Sequence, residues 1–242
     1  MNRYLWALSF LLLFLILWGL IQRVTPWDRE MVLWVSTVRL LMLNRAVAWL
    51  TNLGSINILG PLAVIIAAGF LWRGRRLWAL AFLGTLIWYP LLWPLRLAAD
   101  RSVPESTLRA PTEGILYLAE SRIERVPTAV PGERTTASPS WKESLLQSLK
   151  RSMGKSFPSS HAAVSAYFYG LWLLWAWLRR SIITAFLIAA LIGLIGLSRL
   201  YMAVHYPTDI FAAWSLAAAA LVLQSDLLSR ERIESLVQHS RR

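Results

Sequence analysis

The chain has no cysteine, only three lysines and only three histidines. Without cysteine there is no thiol nucleophile, no cysteine-based metal site and no disulfide scaffold. Charge of either sign is scarce, at 16% of residues, against about 25% in a typical globular chain. With 57% hydrophobic residues, disorder is excluded as well. The little charge present is lopsided, at +12 over 242 residues. A surplus of that size often marks a nucleic-acid binder. Here the arginines punctuate long apolar runs instead of forming one basic face, so no nucleic-acid partner is expected. Fourteen tryptophans suit membrane–water interfaces. The composition is that of an integral membrane protein whose first partner is the lipid bilayer.

A hydrocarbon core of about 30 Å is crossed by about 20 apolar residues of helix. Six stretches qualify: Tyr4–Ile21, Gly54–Trp72, Leu77–Leu97, His161–Leu178, Ile182–Leu200 and Thr208–Leu228. The first resembles a secretory signal in its basic start, but Gln22, Arg23, Val24, Thr25 and Pro26 offer no small-residue cleavage site. It is read as a retained membrane helix. Met31–Leu50 is apolar enough to span but carries Arg39, Asn44 and Arg45, and a central Arg costs at least about 2.5 kcal/mol in a lone helix. Six spans with an inside N-terminus place Arg3, the Arg73/Arg75/Arg76 cluster, Arg179/Arg180 and the tail arginines together on the cytoplasmic side. A seventh span would move the Arg73–Arg76 cluster outside. The positive-inside rule therefore predicts an interfacial amphipathic helix over Met31–Leu50. The expected fold is all-α: a single membrane domain over 1–242, with six transmembrane helices and that interfacial helix. An extracytoplasmic insert over 98–157 and a cytoplasmic tail over 229–242 complete it. The insert holds nine basic and seven acidic residues, and its composition fits both a functional cover and a passive loop. The setting is read as a bacterial inner membrane.

Two of the three histidines fall at the ends of predicted spans on the outer side. His161 lies in Phe157-Pro158-Ser159-Ser160-His161, where Ser before an apolar helix is an N-cap signal. A helix N-terminus presents free N–H groups and the positive end of the dipole, which makes it an anion site. His205 lies between Ser198-Arg199 and Pro207-Thr208-Asp209. The spacing of four between His205 and Asp209 lets the carboxylate accept from one ring nitrogen, fixing the tautomer and leaving the other for attack or proton transfer. Arg96 and Arg199 end the third and fifth spans. Taken singly, each of these residues has a plainer reading as a cap, an interfacial His or a snorkelling Arg. Together Arg96, His161, Arg199, His205 and Asp209 converge at one depth and make a cationic pocket suited to phosphate. The arginines repel cations, and no metal is expected.

These residues resemble the type 2 phosphatidic acid phosphatase (PAP2) superfamily, whose signature runs Lys-x6-Arg-Pro, then Pro-Ser-x-His, then Ser-Arg-x5-His-x3-Asp. Pro158-Ser159-Ser160-His161 matches the second block. Ser198-Arg199, His205 and Asp209 match the third in full. In the first block Arg96 stands for the Lys and Pro104 fits the closing Pro, but Val103 replaces the family's Arg; Arg101 is the nearest substitute. The resemblance implies a lipid phosphatase without cofactor. His205 attacks phosphorus to form a phosphohistidine, oriented by Asp209, and His161 protonates the leaving oxygen. Arg96, Arg199, Ser159, Ser160 and Arg101 hold the phosphoryl oxygens. The implied substrate is a phosphate or diphosphate head group on a long-chain lipid, with undecaprenyl diphosphate, phosphatidate, phosphatidylglycerol phosphate and lipid A phosphates all compatible. A lipid phosphotransferase using the same histidine, and an inactive scaffold or transporter of the same fold, are the alternatives. Oligomeric state is not readable from the sequence.

Overall fold

In a computed structural model of the chain, residues 2–104 and 154–240 are described; the bulk of the predicted insert lies outside them. Among the described residues every regular element is helical, and the single strand-like feature is an isolated antiparallel bridge between Ser102 and Lys155. Eight α-helices run in the order α1 (Arg3–Thr37), α2 (Asn44–Asn52), α3 (Ile56–Trp72), α4 (Arg76–Leu83), α5 (Trp88–Ala99), α6 (Ser160–Leu178), α7 (Ile182–Tyr201) and α8 (Pro207–Ser240). Among the described residues, four segments are long and apolar enough to cross a membrane: α1, Arg76–Ala99, α7 and Pro207–Glu231. A fifth is obtained if the bent pair α2–α3 counts as one span. The chain is an integral membrane protein. The six expected spans are not all recovered by that measure, because α3 has 17 residues and α6 is rich in Trp, Tyr, Ala and Ser. The composition of α6 has a physical reason. It is the central helix, with every residue from Ser160 to Phe168 buried, so it faces protein and not lipid tails.

The expectation for Met31–Leu50 is corrected. It is not one helix: its first turns complete α1, Val38–Leu40 break the chain, a 3₁₀ turn covers Leu41–Leu43, and α2 begins at Asn44. Helix α1 is 35 residues long, about 52 Å at 1.5 Å per residue, well beyond a ~30 Å core. Its continuation through Pro26 is aided by Thr25, whose hydroxyl donates to the Ile21 carbonyl at 2.6 Å within the turn that proline disturbs. Helix α1 lies antiparallel along α8, fastened by Arg3 to Asp226 at one end and by Asp28 to Thr208 at the other.

The α4–α5 span is interrupted by a 3₁₀ turn at Gly84–Ile87. Polar backbone freed inside a bilayer must find protein partners, and the Tyr167 hydroxyl of α6 donates to the Ala81 carbonyl at 3.0 Å. A Cβ at Gly84 would come within 2.7 Å of that hydroxyl, so any larger residue there would force Tyr167 to shift. At the opposite end from the histidines, the α8 carboxylate of Glu231 accepts from the Leu77 and Trp78 amides at 2.8 and 3.2 Å, capping α4 where Arg75 gives no side-chain cap. Phe70, Trp78 and Phe82 stack across α3 and α4. This packing fixes α4 and α5, and so carries Arg96 to the outer end of the bundle.

Candidate functional site

The residues singled out by sequence lie at the same end of the bundle: Arg96 in the last turn of α5, His161 in the first turn of α6, Arg199 in the last turn of α7 and Asp209 in the first turn of α8. The basic clusters Arg73–Arg76 and Arg179/Arg180 mark the other ends of those helices. The segment 156–161 joins the group. The Ser156 carbonyl lies 2.9 Å from His205 Nδ1, the Pro158 carbonyl accepts from Arg96 Nε at 3.2 Å, and the Ser159 amide donates to the Asp209 carbonyl at 3.1 Å. Ser160 Oγ accepts from Arg96 at 3.3 Å.

Ser159 is the N-cap of α6, its hydroxyl accepting from the Ala162 amide at 3.4 Å. The α6 N-terminus is thus bound into the cluster and buried, with His161 5% exposed. Gly54, in the turn between α2 and α3, permits this approach: a Cβ there would stand 3.4 Å from the His161 carbonyl and 2.6 Å from the Ile195 side chain. The same α2 turn supplies Thr51, whose hydroxyl accepts from Arg199 at 3.0 Å. Arg199 is fully buried.

The tautomer of His205 is set by a different partner from the one expected. Nδ1 donates to the Ser156 carbonyl, whereas Asp209 Oδ2 lies 3.6 Å away, beyond hydrogen-bond range. That oxygen accepts instead from the Tyr206 amide at 2.8 Å, a reach-back from the third helical residue to the residue before α8 that satisfies one terminal donor. Asp209 therefore anchors the start of α8 and acts on His205 through its charge.

Arg101 departs furthest from its expected place. Its NH1 donates to Asp209 Oδ1 at 2.8 Å and to Thr208 Oγ1 at 2.6 Å; its NH2 donates to Asp28 Oδ2 at 2.6 Å and to Thr25 Oγ1 at 3.2 Å. The guanidinium also covers the Tyr206 ring, 4.1 Å from its centroid. Burial pushes the Tyr206 phenol up, an effect that Arg101 partly offsets. Arg101 is thus held between two buried carboxylates. The boundaries of the predicted insert are corrected by the same region. Residues 98 and 99 still belong to α5, and Arg101–Pro104 and Lys155–Phe157 are built into the site, with the Ser156 amide donating to the Arg101 carbonyl at 2.8 Å.

Asp28, Thr25, Thr51, Thr208 and the Ser156 carbonyl were not selected from the sequence. Asp28 carried a signal, since it is the first acid in the chain and comes soon after the first apolar run. The others are an interior residue of α1 (Thr25), residues near helix ends (Thr51, Thr208) and a loop residue (Ser156), whose roles depend on neighbours distant in sequence.

A sequence pattern for the PAP2 superfamily matches residues 126–232. No curated protein matches the chain. Among solved structures, the fold is similar to the crystal structure of the first transmembrane PAP2 type phosphatidylglycerolphosphate phosphatase from Bacillus subtilis. That similarity has a TM-score of 0.66 at 24% identity and covers 91% of this chain and 96% of that one. The histidines, arginines and helix ends gathered as described thus sit in a fold similar to that protein's, and residues 126–232, somewhat under half of the chain, are similar to the PAP2 superfamily.

Proposed function

We propose that this protein is a membrane lipid phosphatase acting on a phosphate or diphosphate head group of a long-chain lipid, of the undecaprenyl diphosphate, phosphatidate, phosphatidylglycerol phosphate or lipid A type. The observation that carries this reading is the gathering of two histidines and two arginines at the helix ends around segment 156–161. Phosphoryl transfer needs in-line positioning and stabilisation of charge on the equatorial oxygens more than any other help. Arg96, Arg199 and the Ser159/Ser160 turn at the α6 N-terminus supply that charge with directed donors.

With His205 Nδ1 bonded to the Ser156 carbonyl, the attack on phosphorus falls to Nε2. The P–N bond forms as the bond to the leaving oxygen breaks (the lipid alkoxide of a monophosphate, the lipid phosphate of a diphosphate), and His161 delivers a proton to that oxygen. Water, deprotonated by His161, then releases inorganic phosphate and returns His205 to its starting form. In this scheme Arg101 holds Asp209 and α8 in register and does not grip phosphate, a revision of its expected role. Positive charge from arginine and the helix dipole makes a metal unnecessary. The helix directions support an active site on the extracytoplasmic face of the inner membrane, since the basic clusters sit at the opposite helix ends.

The test is release of inorganic phosphate by the purified full-length protein from a panel of lipid phosphates and diphosphates, with an alkaline detergent quench to trap phosphoenzyme. Turnover together with an acid-labile, base-stable phosphoenzyme that vanishes in His205→Ala is expected. Turnover that survives His205→Ala would refute the assignment.

A further inference from the structure

Between the broken α4–α5 span and α8 lies a cavity of about 410 Å³, on the other side of α8 from α7. It begins beside Leu77 and Leu228, near the end of the bundle away from the histidines, and runs along the span to Leu91. Leu80, Ile87 and Leu227 on its rim are exposed, so it opens sideways to lipid. From Leu77 to Leu91 is about 21 Å of helix, somewhat more than the ~15 Å that half of a hydrocarbon core supplies. The walls are apolar except where α6 and α8 contribute Tyr167 and Gln224.

Gln224 is half-buried within the membrane-spanning stretch Pro207–Glu231, where a polar group is costly unless it is bonded. Its amide offers two donors and two acceptor sites. Among the described residues its partner is the Tyr167 hydroxyl, 3.0 Å from Oε1, and that hydroxyl spends its single proton on the Ala81 carbonyl. Gln224 therefore keeps hydrogen-bonding capacity on the wall of a cavity that opens to lipid. Charge stands directly outside it. Arg73, Arg75 and Arg76 lead into α4, and Arg230 precedes Glu231 on α8, whose carboxylate is taken up by the Leu77 and Trp78 amides. Arg76 is four residues before Leu80 and so lies above it on the same helix face. Four arginines against one carboxylate make the mouth cationic. Gln224 is seven residues, about 10 Å, below Glu231. A phospholipid with its phosphate among these arginines carries its ester carbonyls down toward the long Gln224 side chain and its acyl chain into the cavity.

We propose that the cleft between α4–α5 and α8 binds an anionic phospholipid of the leaflet opposite the candidate site. Arg75, Arg76 and Arg230 receive its phosphate, Gln224 donates to an ester carbonyl, and one acyl chain fills the cavity from Leu80 to Leu91. This lipid is no substrate, because the histidines lie at the other end of the bundle. It fills the space between α8, which begins beside His205, and the span that carries Arg96, and so supports both.

The experiment measures lipid binding to the delipidated full chain in detergent, with dioleoyl phosphatidylglycerol and, as the neutral control, dioleoyl phosphatidylcholine. Both are phosphodiesters, so hydrolysis of a phosphate monoester does not enter. Wild type should bind the anionic lipid more tightly and melt at a higher temperature with it. Arg75→Ser and Arg76→Ser should each weaken the anionic lipid about fivefold and leave the neutral one unchanged. Gln224→Leu, which leaves Tyr167 bonded to Ala81, should weaken both lipids about three- to tenfold. A phosphatidylglycerol photoprobe reactive along its acyl chain should label α4, α5 or α8 between Ala220 and Leu228. Ala220→Phe, which fills the cavity, should abolish that label, while saturating vanadate should not. Equal affinity for the two lipids in wild type, labelling elsewhere, or a label displaced by vanadate would overturn the proposal. If Ala220→Phe does not fold, the arginine and glutamine variants still decide it.

Discussion

Removing Arg101 separates two roles for this residue that kinetics alone would confuse. The guanidinium and both of its carboxylates are buried, with Arg101 5%, Asp28 4% and Asp209 0% exposed. In Arg101→Ala two carboxylates are left facing one another without a counter-ion. Breaking a buried pair by deleting one partner costs about 3–5 kcal/mol. For a chain of this size each kcal/mol lowers the midpoint of unfolding by about 2–4 °C, so a fall of roughly 6–20 °C is expected. Thermal unfolding of the purified protein in detergent measures it directly. A second substitution sharpens the test. In Arg101→Ala/Asp28→Asn one of the stranded charges is gone, and part of the loss should return, giving a coupling that two unrelated sites would not show. Introducing Val103→Arg should restore neither stability nor turnover, because a guanidinium there does not replace one held between Asp28 and Asp209. An Arg101→Ala protein that melts within about 1 °C of wild type, yet binds its phosphate substrate far more weakly, would refute this reasoning and return Arg101 to the phosphate.

Three further outcomes are expected. Single cysteines at Gly74 and Ser181 should be shielded from an impermeant thiol reagent in intact cells while one at the exposed Ser102 labels, and the reverse pattern would place the histidines on the cytoplasmic face; the cysteine-free background makes the readout clean. Activity should persist in excess chelator and fall to vanadate, which mimics five-coordinate phosphorus, whereas loss in chelator restored by a divalent ion would contradict charge stabilisation by arginine. His161→Ala should damage turnover of a phosphate monoester more than that of a diphosphate, since the better leaving group needs less protonation, and equal damage would remove His161 from the donor role.

What the sequence disclosed was governed by how local each signal is. The apolar runs of α1, α7 and α8 were legible because the bilayer imposes one length and one polarity on a lipid-facing helix. The region Met31–Leu50 misled because its arginines and apolar residues fit an interfacial helix equally well, while the actual break at Val38–Leu40 has no Gly or Pro to announce it. The Tyr201 hydroxyl, which donates to the Leu40 carbonyl at 2.7 Å and lies 3.0 Å from Asn44, helps hold that connection, and it comes from a residue 161 positions later. Arg96, His161, Arg199, His205 and Asp209 could be grouped from sequence because alternation of helix direction alone brings their ends to one side. The bonds within the group could not be assigned that way. Asp209 at four residues from His205 is compatible with a direct hydrogen bond, and it is the buried Ser156 that supplies the closer acceptor.

On the proposed phosphatase reading, the partnership of Asp28 with Arg101 bears on how a chain with Val103 in place of the resembled pattern's arginine would hold a phosphate. Three arginines stand near His205 and His161, but the charge of Arg101 is offset by two carboxylates, so that trio is close to one net negative charge. In the proposed site Arg96 and Arg199 add two positive charges to that trio, before their other partners and the α6 helix terminus are counted. A phosphoryl group brought to this site meets a modest net attraction with sharply placed donors, and not an intense cationic well. That balance favours turnover, because a pocket binding the ground-state phosphate too strongly would retain its inorganic product. Placing a further guanidinium at Val103 would tilt the balance toward product retention, so Val103→Arg should tighten inhibition by inorganic phosphate without raising kcat. A variant in which phosphate inhibition is unchanged while turnover rises would show that the site is short of charge and that Arg101 has not been accounted for correctly.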